Sequence, residues 1–210
     1  MTADPHFWDK IAEEYSHKPV DNPEAFERKI EITRSRMSPQ DVVLDIGCGT
    51  GSLALILAPD AGHVHGLDLS TEMVRIANGK ADSQEVGNVS FHCGAFDDSF
   101  TAFEPGSLDG ICAYSLLHLV EDRKAAVEQI FSLLKPGGFF VSSTVCLGDT
   151  WVPYRLILGV MQMLGKAPMV KIVTRDALTA GVRDAGFIDL SFPDVGASST
   201  TTFMVAAKPG

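Results

Sequence analysis

Val42-Val-Leu-Asp-Ile-Gly-Cys-Gly-Thr-Gly51 is an apolar run closing on three glycines at alternate positions, with one acid, Asp45, two residues before the first. Glycine adopts positive φ without strain and lets another group approach the backbone closely. The next residues, Ser52-Leu-Ala-Leu-Ile-Leu-Ala58, read as a buried helix whose first N–H groups point back toward the turn. The stretch therefore predicts strand, glycine turn, helix. A second strand, His63-Val-His-Gly-Leu-Asp-Leu69, carries Asp68 near its C-terminal end. A carboxylate there can take both hydroxyls of a ribose. Spacing separates two kinds of nucleotide site. A dinucleotide fingerprint is Gly-x-Gly-x-x-Gly; here Gly47 and Gly49 fit, but Ser52 holds the third position and Gly51 falls one residue early. Asp45 suits a site that must meet an ammonium group.

Size and composition bound the rest. The chain has 210 residues, 45% hydrophobic and 21% charged, enough for one α/β domain with a full core. Its formal net charge of −10 and the absence of a basic run disfavour nucleic acid, whose binding rests on clustered Lys and Arg. Cys48, Cys93, Cys112 and Cys146 fall in or beside predicted strands without paired spacing, so they read as buried, reduced thiols. His63 and His65 share a strand face but lack a third ligand in the pattern, so no metal site is expected. The opening residues have neither a basic region nor an apolar core of an export signal. A cytoplasmic protein, monomer or homodimer, with no membrane span, is expected.

Along the chain, residues 7–37 read as a polar helical cap broken by Pro19 and Pro23. Ser70 caps a helix to about Lys80, and Val89-Ser-Phe91 and Leu108–Tyr114 are strands. Glu121–Leu134 is an amphipathic helix stopped by Lys135-Pro-Gly-Gly138, and Phe139–Val145 is a strand. Thr174–Ala185 is a further helix before strands Ile188–Phe192 and Thr201–Ala207, which a short loop makes antiparallel neighbours. Alternating strands and helices predict a mainly parallel sheet.

The glycine turn with Asp68 resembles the cofactor site of class I S-adenosylmethionine-dependent methyltransferases. Leu108–His118, Leu133-Leu-Lys-Pro-Gly-Gly-Phe-Phe-Val141, Ala185-Gly-Phe187 and the opening Phe7–Tyr15 also resemble that family, the last its small-molecule branch. The resemblance implies one domain over residues 1–210. It implies a Rossmann-like seven-stranded sheet of order 3-2-1-4-5-7-6, strand 7 antiparallel, with helices on both faces. It implies S-adenosylmethionine as cofactor, with Asp45, Gly47, Cys48, Gly49 and Gly51 around the methionine portion and Asp68 on the ribose. Leu69, Met73, Ala95, Phe96 and Tyr114 complete the expected cofactor residues. Ala95 stands where similar enzymes often carry an acid for the adenine amino group, a departure that Phe96 or Asp97 can offset.

Tyr15, two helical turns beyond Trp8, is a candidate near the reacting methyl, and His118, after the fourth strand, a candidate general base. Both also read as packing residues. Residues 146–173 form an insertion after strand five. Within it, Trp151–Leu164 is apolar on nearly every face, which fits an acceptor lid, a dimer interface or a core helix. The expected function is methyl transfer to a small apolar or amphipathic acceptor. The alternative is a non-catalytic methyltransferase-like protein that binds cofactor or acts by association.

Overall fold

A computed structural model describes residues 5–165 and 167–210. Two helices lead: α1 (Pro5–His17) and α2 (Pro23–Arg34). Pro23 starts α2 rather than breaking a longer helix. It occupies the first turn, where a missing N–H costs nothing, and Asn22 Oδ1 accepts from the Ala25 N–H at 3.0 Å.

The remaining elements are β1 (Val42–Ile46), α3 (Ser52–Leu57), β2 (His63–Asp68), α4 (Thr71–Ser83), β3 (Val89–Cys93), β4 (Leu108–Tyr114) and α5 (Arg123–Leu133). They are followed by β5 (Leu134–Val145), α6 (Tyr154–Met163), α7 (Arg175–Asp184), β6 (Ile188–Ser191) and β7 (Thr201–Ala207). The seven strands form one sheet of order β3-β2-β1-β4-β5-β7-β6. Strands β1 to β5 pair in parallel, and β7 runs antiparallel to both β5 and β6. The strand order turns back between β1 and β4, the place where open α/β sheets bind ligands at their C-terminal edge.

One boundary differs from expectation. Lys135-Pro-Gly-Gly138 lies inside β5 instead of separating it from α5. The pairing with β4 slips there, from Leu108–Leu134 to Gly110–Phe139, so the Pro-Gly-Gly residues bulge while the strand continues.

Period-two alternation divides the core between the two sheet faces. Leu44, Ile46, Ile111 and Phe140 face Val127 and Ile130 of α5 and Leu178 and Val182 of α7. Val43, Val64, Cys112 and Val141 face Leu53 and Leu57 of α3 and Ile30 of α2. Cys48, Cys112 and Cys146 are buried as expected, but Cys93 is exposed because β3 is an edge strand; all four are free. His92 of β3 joins His63 and His65, with 3.1 Å between His65 Nδ1 and His92 Nε2. Burial, then the two neighbouring imidazoles, push the His65 pKa down to about 4. Among the described residues no group of three or more His, Cys, Asp or Glu is arranged to hold a metal, and no helix is long and apolar enough to cross a membrane.

Lys208, just past β7, closes the C-terminal end of α5. Its Nζ donates to the carbonyls of Phe131 and Leu134 at 2.8 and 2.7 Å and lies 4.7 Å from the Phe131 ring centre. A cation on the last carbonyls of a helix answers both their unmet hydrogen bonds and the helix dipole. Lys208→Met should lower unfolding free energy by about 1–2 kcal/mol in a denaturant titration; no change would show that the ammonium contributes only packing.

Candidate functional site

The glycine turn is pinned to the end of β2. The Gly47 and Cys48 N–H groups both donate to Leu67 O, at 2.7 and 3.0 Å, and the Gly49 N–H donates to Asp68 Oδ2 at 2.9 Å. The other oxygen, Asp68 Oδ1, accepts from the Ser70 N–H at 2.9 Å. Gly47 and Gly49 hold φ of 71° and 53°, which side-chain-bearing residues rarely adopt. A Cβ on Gly49 would point into open space, meeting only Tyr15 Cε1 at 3.6 Å. Burial pushes the Asp68 pKa up, and the bonds from Ser70 and Gly49 oppose that rise.

These groups border a cavity of about 650 Å³ along the C-terminal edge of the sheet, a size typical of small-molecule sites. Tyr15, Gly47, Gly49, Asp68, Leu69, Met73, Ala95, Phe96, Tyr114 and His118 line it. Three expected residues do not. Gly51 is set against Phe91 and Ala77, where a Cβ would stand 2.6–2.8 Å from their atoms, so it serves strand–helix packing. Cys48 is buried, its Sγ turned to Gly49 O at 3.7 Å. Asp45, only 1% exposed, lies off the cavity wall.

Asp45 nevertheless has an electrostatic part. Its Oδ2 is buried and without a partner among the described residues. Burial first, then the nearby Asp68 charge, push its pKa up to about 8. An unmet buried carboxylate beside Asp68 leaves this end of the cavity short of positive charge.

Helix α1 roofs the cavity with Trp8 and Tyr15, whose rings meet edge to face at 6.5 Å. It is fastened to α4: Asp9 Oδ1 accepts from Ser70 Oγ at 2.6 Å and from the Glu72 N–H at 3.1 Å, and Glu13 pairs with Arg75. Burial, with Asp68 and Asp45 nearby, raises the Tyr15 pKa, so its phenol keeps its proton. Tyr114, on β4, is held at the other end, its hydroxyl 2.8 Å from Thr33 Oγ1 and donating to Lys29 O at 3.1 Å.

His118 is buried, and its Nδ1 has no partner among the described residues. Burial lowers its pKa to about 4, so the imidazole is neutral at ordinary pH. Beside it the wall is built from Ser115, Leu116, Leu119, Pro168 and Val170, none of them among the expected site residues. Ser115 carries φ of 54°, unusual for a residue with a side chain, and its N–H donates to Ser143 O at 2.7 Å. The sequence signal for Ser115, Leu116 and Leu119 is position, directly after β4 at the sheet's C-terminal edge; Pro168 and Val170 lie between α6 and α7. On the adenine-side wall expected to lack an acid, Asp97 and Asp98 follow Phe96 into the lining. Asp97 Oδ1 is occupied by the Ser99 N–H and hydroxyl, at 2.9 and 2.6 Å.

Residues 37–177 match the family model described as a methyltransferase domain. The chain belongs to the class I S-adenosylmethionine-dependent methyltransferases. It is 33% identical to a ubiquinone biosynthesis O-methyltransferase of Paraburkholderia xenovorans over 151 residues, covering 68% of this chain and 64% of that protein. An enzyme of the same name from Xylella fastidiosa is 36% identical over 104 residues, covering 49% of this chain and 41% of its own. The matches thus span about two fifths to two thirds of these relatives' lengths. The YcgJ protein of Bacillus subtilis shares the fold, with a TM-score of 0.72 and 18% identity over 88% of this chain and 99% of its own. The methyltransferase site fits the cofactor of the class on two counts: the orphaned Asp45 oxygen suits an ammonium nearby, and the open face of Gly49 beside Asp68 leaves room for a nucleoside.

The folded-state pKa of Asp45 lies above the ordinary carboxylate value of about 4. Its folding contribution is therefore fully present below about pH 4 and is lost as pH rises through about 8. Without ligand, Asp45→Asn should melt at higher temperature than the parent at pH 8, and the difference should shrink toward pH 4. A difference that stays constant across pH 4–8 would show that Asp45 is ionised in the folded chain throughout.

Proposed function

We propose that this chain transfers the methyl group of S-adenosylmethionine to the hydroxyl oxygen of a small, non-anionic, apolar or amphipathic acceptor in the cytoplasm. The observation that carries the reading is the single cavity that joins Asp68 and the open glycine turn to His118 across a largely apolar wall. Among the described lining residues there is no Lys or Arg, so a carboxylate or phosphate on the acceptor would enter without a counter-charge. The hydroxyl acceptor follows the O-methyltransferase relatives and suits a neutral histidine.

When bound, the cofactor supplies a methyl carbon already activated on a sulfonium, so alignment and exclusion of water are the protein's tasks. Asp68 keeps lone pairs free beyond those given to Gly49 and Ser70, enough to accept two ribose hydroxyls. Gly49 lets the amino-acid portion approach the backbone, and Asp45, protonated below about pH 8 in the free chain, would ionise once an ammonium lay near its orphaned oxygen. Leu69, Met73, Ala95 and Phe96 form an apolar slot for the base, and Asp97 and Asp98 stand on the same wall in place of the acid missing at Ala95. Trp8 and Tyr15 shut out water from above. His118, neutral and lining the cavity, would accept the proton of the acceptor hydroxyl.

Asp68→Ala should weaken S-adenosylmethionine binding about tenfold to a hundredfold by calorimetry, as expected for a bidentate charged contact. Because the same carboxylate holds Gly49 and Ser70, the variant should also melt lower. Unchanged affinity would place the nucleoside elsewhere.

For His118, the test is a methyl-transfer screen of neutral phenols, catechols and long-chain hydroxy compounds, followed by kinetics on the best acceptor. His118→Asn should lower kcat about a hundredfold while cofactor affinity stays put. In the parent, the acid side of the rate profile should fall only near pH 4, matching the depressed histidine. A fall centred at pH 6–7 would show another group to be the base.

A further inference from the structure

Helix α6 turns its apolar residues outward. None of its residues is buried. Leu156, Val160, Met163 and Leu164, spaced to share one helical face, are 73%, 58%, 88% and 63% exposed, and Trp151 just before the helix is 94% exposed. The opposite side, with Tyr154, Leu158 and Gln162, is half-buried, and Gln162 Nε2 donates to Pro168 O at 2.9 Å. Burial of the outward face contributes nothing to folding, so its composition answers to something outside the chain.

Charge selects the occupant. Between Asp149 and Asp176 the sequence contains no acid and four bases, Arg155, Lys166, Lys171 and Arg175, in a chain whose formal net charge is −10. Arg175 is stacked on Phe192 at 4.4 Å, while Arg155 is exposed on α6 itself. A second copy would bring two such acid-free segments face to face, with like charges opposed. An anionic lipid surface complements both features: it accepts apolar side chains and an interfacial tryptophan, and it attracts Lys and Arg. The segment also runs directly into the cavity, whose wall includes Pro168 and Val170.

We propose that Trp151 and the outward face of α6 seat on the surface of an anionic bilayer, placing the cavity mouth at the lipid so that a lipophilic acceptor enters from the membrane. The docking is independent of methyl transfer; the route for the acceptor rests on the function proposed above.

The test is co-sedimentation of the full chain with phosphatidylcholine vesicles, with and without phosphatidylglycerol. Binding to the anionic vesicles should be about tenfold tighter or more, should weaken in high salt, and should shift tryptophan emission to the blue, a shift lost in Trp151→Phe. The triple variant Leu156→Ser, Val160→Ser, Met163→Ser should bind vesicles about tenfold more weakly or worse, with S-adenosylmethionine affinity by calorimetry unchanged, which shows the fold intact. No binding to either vesicle, or binding indifferent to the triple variant, overturns the proposal. So does a parent dimer in light scattering that the triple variant converts to monomer without any vesicle binding; the face then belongs to a second copy. Vesicle binding with no methyl transfer to any acceptor would sink the proposed function and leave the docking standing.

Discussion

The clasp of one carboxylate on two backbone N–H groups is the constraint on which this site depends. Asp68 sits at the end of β2 and holds Gly49 of the β1 turn with one oxygen and Ser70 at the start of α4 with the other. Two separate strand-to-helix turns are thereby locked in register by one carboxyl group near the surface of the core. Hydrogen bonds to a charged acceptor are roughly twice as strong as neutral ones, and here they offset part of the cost of burying Asp68. A carboxylate already oriented by two N–H groups presents its remaining lone pairs in a fixed direction, so a ligand need not order it.

The roof is built on the same residue neighbourhood. Ser70 gives its N–H to Asp68, its hydroxyl to Asp9 of α1, and accepts from the Met73 N–H to cap α4. Strand end, helix cap and covering helix thus meet at one buried serine. The exposed Glu13–Arg75 pair adds little by itself; the more protected Asp9–Ser70 contact sets where α1 rests. Any motion of α1 that opens the cavity must break that contact, so access is coupled to the residue that orients Asp68.

What was legible in the sequence was local. The glycine turn, Asp68, the Ser70 cap and the alternating strands are patterns within about ten residues, and chemistry written on that scale survives folding. The strand order came by resemblance, and the sheet has it. Gly51 lies off the cavity wall, and glycine spacing does not tell which glycine faces a ligand; Phe91 and Ala77 fill the space it leaves, and both come from distant parts of the chain. Lys135-Pro-Gly-Gly138 looked like a stop but bulges within β5, because strand pairing resumes at Phe139. Of the far wall only His118 and the 146–173 insertion were legible, since Ser115–Asp122 and Pro168–Val170 lie in irregular connections without periodicity. For α6 the sequence showed an apolar helix but not its direction; its lack of any buried residue rules out the core reading.

The site also bears on the alternative of a protein that merely associates. Ser115 holds a left-handed backbone, and Asp45 keeps a buried oxygen without a partner among the described residues. Each is a local cost, of order 1–3 kcal/mol for a strained or unsatisfied group. Neither improves the packing of the sheet: Ile111, Phe140 and the rest of the core would be served equally by an ordinary turn. Ser115 and the orphaned Asp45 oxygen lie at the C-terminal ends of β4 and β1, while Glu85 and Asp189 hold the same backbone form away from the cavity. The outward face of α6 lies apart from Ser115 and Asp45 and costs the fold nothing beyond solvent exposure. An association surface therefore accounts for α6 alone. A ligand carrying an ammonium in the cavity would answer the orphaned Asp45 oxygen, which an association surface on α6 would not.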